Sequence, residues 1–445
     1  MVRAASLLAA SIALGCASLA RAQDASAAGS LGGGLGGMLV GALPRLPENW
    51  ADLPFQLHLS ESVGYNSNVL NTPSNSTTSI NGALVALRPI GAFESISDFG
   101  ASTKFNWGGQ QFFADGSFGM NRYLKHSDLD TAHHDLDAGM NWTYTSKCAG
   151  RLVFSDVSGQ SLPTEQIGFN NINTVTTVSF NETGRCGITS NYSAVLNSGI
   201  SRTTNSSVMS LTNTGALNAL NNSQTVFISA GVNYTVTTTN SLELLATLTG
   251  TEYPNRSTTL GILGINRNVL QDQINLTYTK NFSPNLTIIG SIGAVASKNR
   301  SLSLDFPTGF TPIYSLSFDW SMTPRITVHG SVARTVSVAT STLSSSQVNE
   351  NAIIAVSYIW TPKVSLTGSV SASRNNSGSN GQSVTALTSL GVFQSSRTYS
   401  ATASLIYEMT PFLRTSLSYQ FSRNSYTLNT TNQSVVLLGL NFNPY

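Results

Sequence analysis

Val364-Ser365-Leu366-Thr367-Gly368-Ser369-Val370-Ser371-Ala372-Ser373 is the stretch that decides the fold. Apolar or small residues take every even position, and hydroxyls take every odd one. Side chains of a strand alternate between faces, so this stretch makes one apolar face and one hydroxyl face. The same split recurs outward from it. Tyr314, Leu316, Phe318, Trp320 and Met322 oppose Ser315, Ser317, Asp319 and Ser321. Tyr399, Ala401, Ala403, Leu405, Tyr407 and Met409 oppose Ser400, Thr402, Ser404 and Glu408. Leu413, Thr415, Leu417, Tyr419 and Phe421 oppose Arg414, Ser416, Ser418, Gln420 and Ser422. Near the N-terminus Phe55, Leu57, Leu59, Val63 and Tyr65 oppose Gln56, His58, Ser60, Ser62 and Asn66.

A soluble sandwich also alternates, and composition separates the two cases. Charged residues are 10% of the chain, against roughly 25% in an ordinary soluble domain. Ser, Thr and Asn supply 151 of 445 residues. Such a chain does not cover a soluble surface with charge. Aromatics at 9%, regularly spaced, exclude a disordered chain. The net charge of +2 gives no case for nucleic acid. Mean hydropathy is +0.02, and past the N-terminus no apolar run approaches about 18 residues, so membrane helices are excluded too.

Residues 1–22 read as a secretory signal peptide: Arg3, an apolar run from Ala4, then Ala20-Arg21-Ala22 before Gln23. Cys16 follows Gly15, but Ala13 stands where a lipoprotein site takes leucine. Residues 23–53 are expected to be a periplasmic lead-in containing the Gly-rich Leu31–Gly41, with no lysine and no phosphate-loop spacing. Residues 54–445 are then a transmembrane antiparallel up-and-down β-barrel.

Turns alternate between short and long. Ser283-Pro284, Thr323-Pro324, Thr361-Pro362 and Thr410-Pro411 mark short ones, and Lys147–Gly150, Thr183–Arg185 and Thr238–Asn240 are read as equivalents without proline. Gly108-Gly109 is the first short turn. Asn/Ser/Thr-rich links separate them, and Asn68–Ser97 is read as a long loop in which Ala83–Leu87 can be an extra strand. In bacterial barrels the short turns are periplasmic and the long loops extracellular. This spacing predicts 18 strands, with 16 as the alternative count. Tyr144, Phe180, Tyr234, Tyr278, Trp320, Tyr358, Trp360 and Tyr407 fall just before short turns and are expected to form a periplasmic aromatic belt. The location implied is the outer membrane of a Gram-negative bacterium.

Glu61-Ser62-Val63-Gly64-Tyr65-Asn66-Ser67-Asn68-Val69 resembles the opening strand of the β-barrel porin family found in exopolysaccharide-operon outer-membrane proteins. So do Gln110-Gln111, Asn121-Arg122-Tyr123, Asp128-Leu129-Asp130 and Asn141-Trp142. The resemblance covers roughly 55–160 by motif. It implies a pore taking part in polysaccharide export, with polysaccharide and a periplasmic export apparatus as partners. The terminal Val436, Leu438, Leu440 and Phe442 resemble the signal read by the barrel-assembly machinery, although Asn443, Pro444 and Tyr445 extend past it. Outer-membrane lipid is the other expected partner. The architecture equally fits a general diffusion porin for small hydrophilic solutes, or a structural or adhesive surface barrel.

With the polar face turned inward, Lys104, Asp115, Asp137, Glu243, Asp319, Arg325, Glu408 and Arg414 are the candidate lumen-facing charges among Ser, Thr, Asn and Gln. No dense opposed charge ladder is evident from sequence. Asp128, Asp130, His133, His134 and Asp135 gather in a span read as an outer loop, at a spacing that matches no metal motif. His58 and His329 fall on the polar face, but no elbow motif marks a nucleophile, so neither an enzyme nor a cofactor is expected. Glu61 faces outward in mid-strand, which requires an outward-facing partner or a bulge. Cys148 and Cys186 would both lie at the periplasmic rim. With a turn at Thr183–Arg185 two strand spacings separate them, about 10 Å, so a disulfide needs a flexible turn, and two free thiols are the alternative.

Overall fold

The computed structural model describes residues 55–69, 76–80, 83–87, 89–161, 173–207, 222–255, 268–299, 310–338, 346–377, 395–425 and 430–443. The signal peptide, the Gly-rich lead-in and most of the long loops read from sequence lie outside them. In chain order the strands are β1 (Phe55–Asn66), β2 (Ser76–Ile80), β3 (Ala83–Leu87), β4 (Ala92–Trp107), β5 (Gln110–Tyr123), β6 (Thr131–Thr145), β7 (Cys148–Ser161), β8 (Asn173–Gly187), β9 (Tyr192–Ser207) and β10 (Ser223–Thr237). They continue with β11 (Asn240–Glu252), β12 (Asn268–Ser283), β13 (Leu286–Asn299), β14 (Thr311–Thr323), β15 (Ile326–Val338), β16 (Ser346–Thr361), β17 (Val364–Ser377), β18 (Ser395–Thr410), β19 (Leu413–Ser425) and β20 (Thr430–Phe442).

β1 and β4–β20 form one 18-stranded sheet in which sequence neighbours pair antiparallel. The sheet closes on itself: β1 pairs with β4 on one side and with β20 on the other, with Leu59 opposite Phe442 and Asn66 opposite Val435. Closure leaves no unpaired sheet edge to desolvate in lipid. One face carries Leu59, Val63, Phe99, Phe118, Leu244, Ile292, Leu316, Val370, Leu405, Leu417 and Leu438, all exposed. An apolar band facing out of a closed barrel is exposed only if lipid covers it. The chain is therefore a transmembrane barrel of the Gram-negative outer membrane.

The short turns share one chemistry. Gly108 and Gly109 have φ of 59° and 82°, the left-handed pair that a two-residue hairpin requires and that glycine adopts without strain. At the other turns a hydroxyl does the work. Thr323 Oγ1 accepts from Arg325 N at 3.2 Å, Thr361 Oγ1 from Lys363 N at 3.3 Å, and Thr410 Oγ1 from Phe412 N at 3.3 Å. Thr145 and Ser283 do the same for Lys147 and Asn285. The hydroxyl caps an amide that the turn leaves without a ladder partner, whether proline follows it, as at Thr323, or not, as at Thr145. The register also slips by one residue before each of these turns, as at Ser321/Thr323 and Glu408/Thr410, a bulge that tightens the bend.

The structure departs from the sequence reading in three places. β4 begins at Ala92, inside the span read as a loop, whereas Ala83–Leu87 is the extra strand allowed for within that span, paired with β2 in a separate two-stranded sheet. The turn expected at Thr183–Arg185 is strand, since β8 runs on to Gly187 and the chain reverses at Ile188–Asn191. There Ile188 N and Thr189 N both donate to Tyr192 O, at 2.8 and 3.1 Å. β6 begins at Thr131, so His133 and His134 are strand residues and point to opposite faces.

Buried side chains collect at the loop-side end of the closure seam, between β20, β1, β4 and β5. Val69, Ala92, Tyr123 and Leu129 form an apolar cluster there. Around it Asn66 Oδ1 accepts from Asn68 N at 3.0 Å and from Gln433 Nε2 at 3.1 Å, and Asn68 Nδ2 donates to Asn432 O at 3.1 Å. Asn66 and Asn68 belong to the motif that carries the family resemblance. Their amides bond the first strand to the last one, where no hairpin does so.

Candidate functional site: the lumen wall

Strand parity assigns each side chain to the lipid or the lumen, and register then says which lumen side chains meet. On β4 the exposed Phe93, Phe99 and Phe105 face out, so Glu94, Asp98 and Lys104 face in. On β5 Phe118 faces out, so Asp115 faces in, directly opposite Asp137 of β6. Asp135 and His133 follow Asp137 along the inner face of β6. Arg151 faces in from β7, its guanidinium 4.6 Å from the ring centre of the inward Phe113. One wall, made of β1 and β4–β7, therefore gathers Glu94, Asp98, Asp115, Asp135 and Asp137 with Lys104, Arg151, His58 and His133.

A glycine makes its central contact. Asp98, Gly119 and His133 are register partners on three adjacent strands. His133 Nε2 and Asp98 Oδ1 lie 2.6 Å apart, across the intervening strand. A Cβ at Gly119 would collide with both groups. Gly100 is likewise covered by the His58 ring. Without side chains at 100 and 119, long polar groups lie flat over the wall instead of reaching into the channel.

The remaining lumen charges are paired. Arg185 Nη2 meets Glu243 Oε2 at 3.1 Å, reaching over β9 and β10. His329 Nδ1 lies 2.7 Å from Asp319 Oδ1, and Arg414 Nε donates to Glu408 Oε1 at 3.0 Å. Of the eight candidate lumen charges, Lys104, Asp115, Asp137, Glu243, Asp319, Glu408 and Arg414 lie on the inner face of strands. Arg325 does not: it sits in the short turn between β14 and β15, at the rim, because the bulge at Ser321/Thr323 ends the ladder before it. Glu94, Asp98, His133, Asp135, Arg151 and Arg185 are lumen residues that sequence reasoning missed. Glu94, His133, Asp135 and Arg185 lay in spans read as loop or turn.

Elsewhere the lumen is neutral. Ser291 and Ser315 Oγ are 2.6 Å apart, as are Ser369 Oγ and Thr402 Oγ1, and Ser371 and Ser400 Oγ. Along the inner faces of β13–β17 the described charged or titratable residues are Asp319 and His329 alone. Across the whole lumen, inward carboxylates outnumber inward lysines and arginines among the described residues. The chain's net charge of +2 does not describe its lining.

On the lipid face, Glu61 Oε1 accepts from Ser95 Oγ of β4, the outward-facing partner its position requires. His134 of β6 faces out and meets Asp156 of β7 at 3.3 Å, so the span once read as one loop of ligands is divided between the two faces. Among the belt residues, Tyr144, Tyr278, Trp320, Trp360 and Tyr407 are exposed toward the short-turn ends. Phe180 is not at that rim. With β8 extended to Gly187 it lies in mid-strand opposite Phe154 and Ile200. Tyr192 takes a place there instead, stacked on Tyr234 with ring centres 4.7 Å apart. Trp107, Phe282 and Phe442 also face out at that level.

The extended β8 also changes the cysteine geometry. Cys148 and Cys186 become direct register partners on adjacent strands, with Cα atoms 4.3 Å apart, and they form a disulfide. One strand spacing separates them, where a turn at Thr183–Arg185 would impose two.

No family model and no curated protein matches the chain. Among solved structures it is similar to OpdL of Pseudomonas aeruginosa, at 10% identity over 89% of this chain and 100% of that one, with a TM-score of 0.41. It is also similar to OccK3 (OpdO) of P. aeruginosa, at 10% identity over 88% and 96%, TM-score 0.44. OccAB4 of Acinetobacter baumannii matches at 8% identity over 88% and 98%, TM-score 0.42.

Proposed function

We propose that the chain is a diffusion channel for small hydrophilic solutes, with a preference for cations. The observation that carries this reading is the acidic lumen wall of β1 and β4–β7. Barrels of 16–18 strands leave an aqueous channel. Carboxylates arrayed along one side of such a channel lower the energy of a passing cation and raise that of an anion. Hydroxyls and amides on the other side exchange hydrogen bonds with a solute in place of water. The ion pairs at Arg185–Glu243 and Glu408–Arg414 add fixed dipoles without adding net charge.

Polysaccharide export, which the sequence resemblance implies, fits this lining less well. A neutral polymer gains nothing from a wall of carboxylates that its hydroxyls must partly desolvate. Planar-bilayer recording of the purified barrel tests the proposal. Stepwise conductance with a reversal potential of cation-selective sign under a salt gradient is the expected result. A barrel that inserts without channel steps, or one that prefers anions, overturns it. A gene deletion that abolishes extracellular polysaccharide while bilayer conductance is absent would restore the export reading.

A further inference from the structure

The lipid face carries its own charge pattern, and it is basic. Arg334 of β15 is the register partner of Glu350 of β16, Glu350 of Arg374 of β17, and Arg374 of Arg397 of β18. Arg423 of β19 stands beside this row as the partner of Tyr399. Parity places all five with the exposed Val332, Ile354, Val370 and Leu417, hence outward. Each lies within four residues of the long-loop end of its strand.

Arg334 Nη1 meets Glu350 Oε1 at 3.4 Å. Arg374 Nε donates to Asn376 Oδ1 at 3.3 Å. Glu350 directs its carboxylate to Arg334 rather than to its other register partner Arg374; among the described residues no carboxylate lies within ion-pair distance of Arg374, Arg397 or Arg423, and all three are exposed. Three cations on neighbouring strands repel one another unless an anion lies between them. Their level is marked independently. Tyr314 and Tyr399 are the direct partners of Arg334 and Arg423, and outward tyrosines sit where acyl chains give way to headgroups. On β18, Tyr399 and Tyr407 are separated by a rise of about 20 Å along a tilted strand, close to the height of an outward apolar band. The arginines therefore stand at the headgroup level of the extracellular leaflet.

We propose that the outward row on β15–β19 is a docking site for the phosphate groups of phosphorylated glycolipid in that leaflet. Guanidinium forks match phosphate oxygens in bidentate geometry, and one anion between two arginines relieves their repulsion. A basic cluster beside a membrane span reads as a site for anionic headgroups. The proposal needs the barrel and its orientation, and it stands or falls independently of what passes through the lumen.

The test uses the purified barrel in detergent, stripped of lipid, with two probes: bisphosphorylated lipid A and the same lipid after enzymatic removal of its phosphates. Native mass spectrometry reads the affinity for each. The wild-type barrel is expected to bind the bisphosphorylated probe on the order of a hundredfold more tightly than the dephosphorylated one, the scale of three basic groups near an anionic surface. In Arg374→Gln/Arg397→Gln/Arg423→Gln the affinity for the bisphosphorylated probe falls on the order of a hundredfold, and affinity for the dephosphorylated probe does not change. Equal binding of the two probes by the wild-type barrel overturns the proposal with no variant needed. So does a triple variant that keeps its preference for phosphate. If the triple variant does not fold, Arg397→Gln alone is read by the same comparison.

Discussion

The wall formed by β1 and β4–β7 and the wall formed by β13–β17 lie half a turn apart in one sheet and differ in chemistry. The first places carboxylates, imidazoles and two cations over glycines, with contacts that cross a whole strand, as at Asp98–Gly119–His133. The second is a ladder of hydroxyls whose contacts join only direct neighbours, as at Ser291–Ser315 and, at its edge with β18, Ser371–Ser400. Backbone closure is the same in both. The difference shows that a barrel's ladder tolerates very different inner faces, because the lumen is wet and asks little of the fold. Where side chains reach across strands, the inner face gains constraints of its own. Where they stop at the neighbouring strand, it has few.

The largest expected effect lies at the edge of the charged wall. Cys148 and Cys186 tie β7 to β8 and close a loop with a sequence separation of 38. Cys148→Ser/Cys186→Ser is expected to lower stability by about 2–4 kcal/mol, the range for a native disulfide closing such a loop. Heat-modifiability on gels, with and without reductant, reads it. Equal unfolding temperatures for the two forms would show that the ladder alone holds this edge.

Gly119→Val comes next. Its Cβ enters the space of the Asp98–His133 contact, and overpacking of this kind costs about 1–3 kcal/mol. Gly368→Ala on the lipid face of β17 is the unobstructed control, since the backbone oxygen of Thr402, at 3.8 Å, is all that its Cβ meets. A thermal melt is expected to separate the two. A smaller loss for Gly119→Val would mean that the cross-strand contact is dispensable.

Selectivity gives a smaller and sharper test. Asp115 and Asp137 face each other across β5 and β6. In Asp115→Asn/Asp137→Asn the cation-to-anion permeability ratio is expected to fall about threefold, since a charge beside an ion in water is worth roughly 1 kcal/mol before screening. An unchanged reversal potential would place the selective region elsewhere in the channel.

The same contrast explains what could be read from the chain. The short turns that join the strands from β14 to β19 in pairs were expected at Thr323-Pro324, Thr361-Pro362 and Thr410-Pro411 and lie there, because most positions of these strands alternate between apolar and hydroxyl side chains. The charged wall breaks that pattern. On β4, Ile96 faces in while Ser95 and Ser97 face out, and only the pairing of Tyr65 with Phe93 and of Glu94 with Tyr123 makes Ala92–Asp98 a strand. On β8, Thr183-Gly184 has the composition of a turn, yet the ladders to β7 and β9 both run through it. Once that turn is misplaced, Phe180, Arg185 and Cys186 all move with it. Lys104, Asp115 and Asp137 of this wall were legible, but three of its inward groups were missed for a related reason: His133, Asp135 and Glu94 are polar residues near strand ends, and local composition cannot separate a strand end from a loop. The outward arginines escaped notice because each is an isolated exception on its own strand. Only the register aligns them.

The smallest effect is expected on the hydroxyl wall. Ser371 and Ser400 face each other with oxygens 2.6 Å apart, yet both line a channel that water fills. Removing one partner leaves a hydroxyl that finds water, and removing both leaves two small methyl groups on a strand. A double-mutant cycle of Ser371→Ala and Ser400→Ala is therefore expected to give a coupling below about 0.5 kcal/mol, because the net value of a hydrogen bond shrinks when solvent competes for both ends. Single-channel conductance in simple salt is expected to be unchanged for all three variants. Coupling well above 1 kcal/mol would mean that the ladder of hydroxyls is dry, with something other than water packed against it. That result would turn the neutral wall from a filler into a surface that holds a solute, and would reverse which of the two walls confers selectivity.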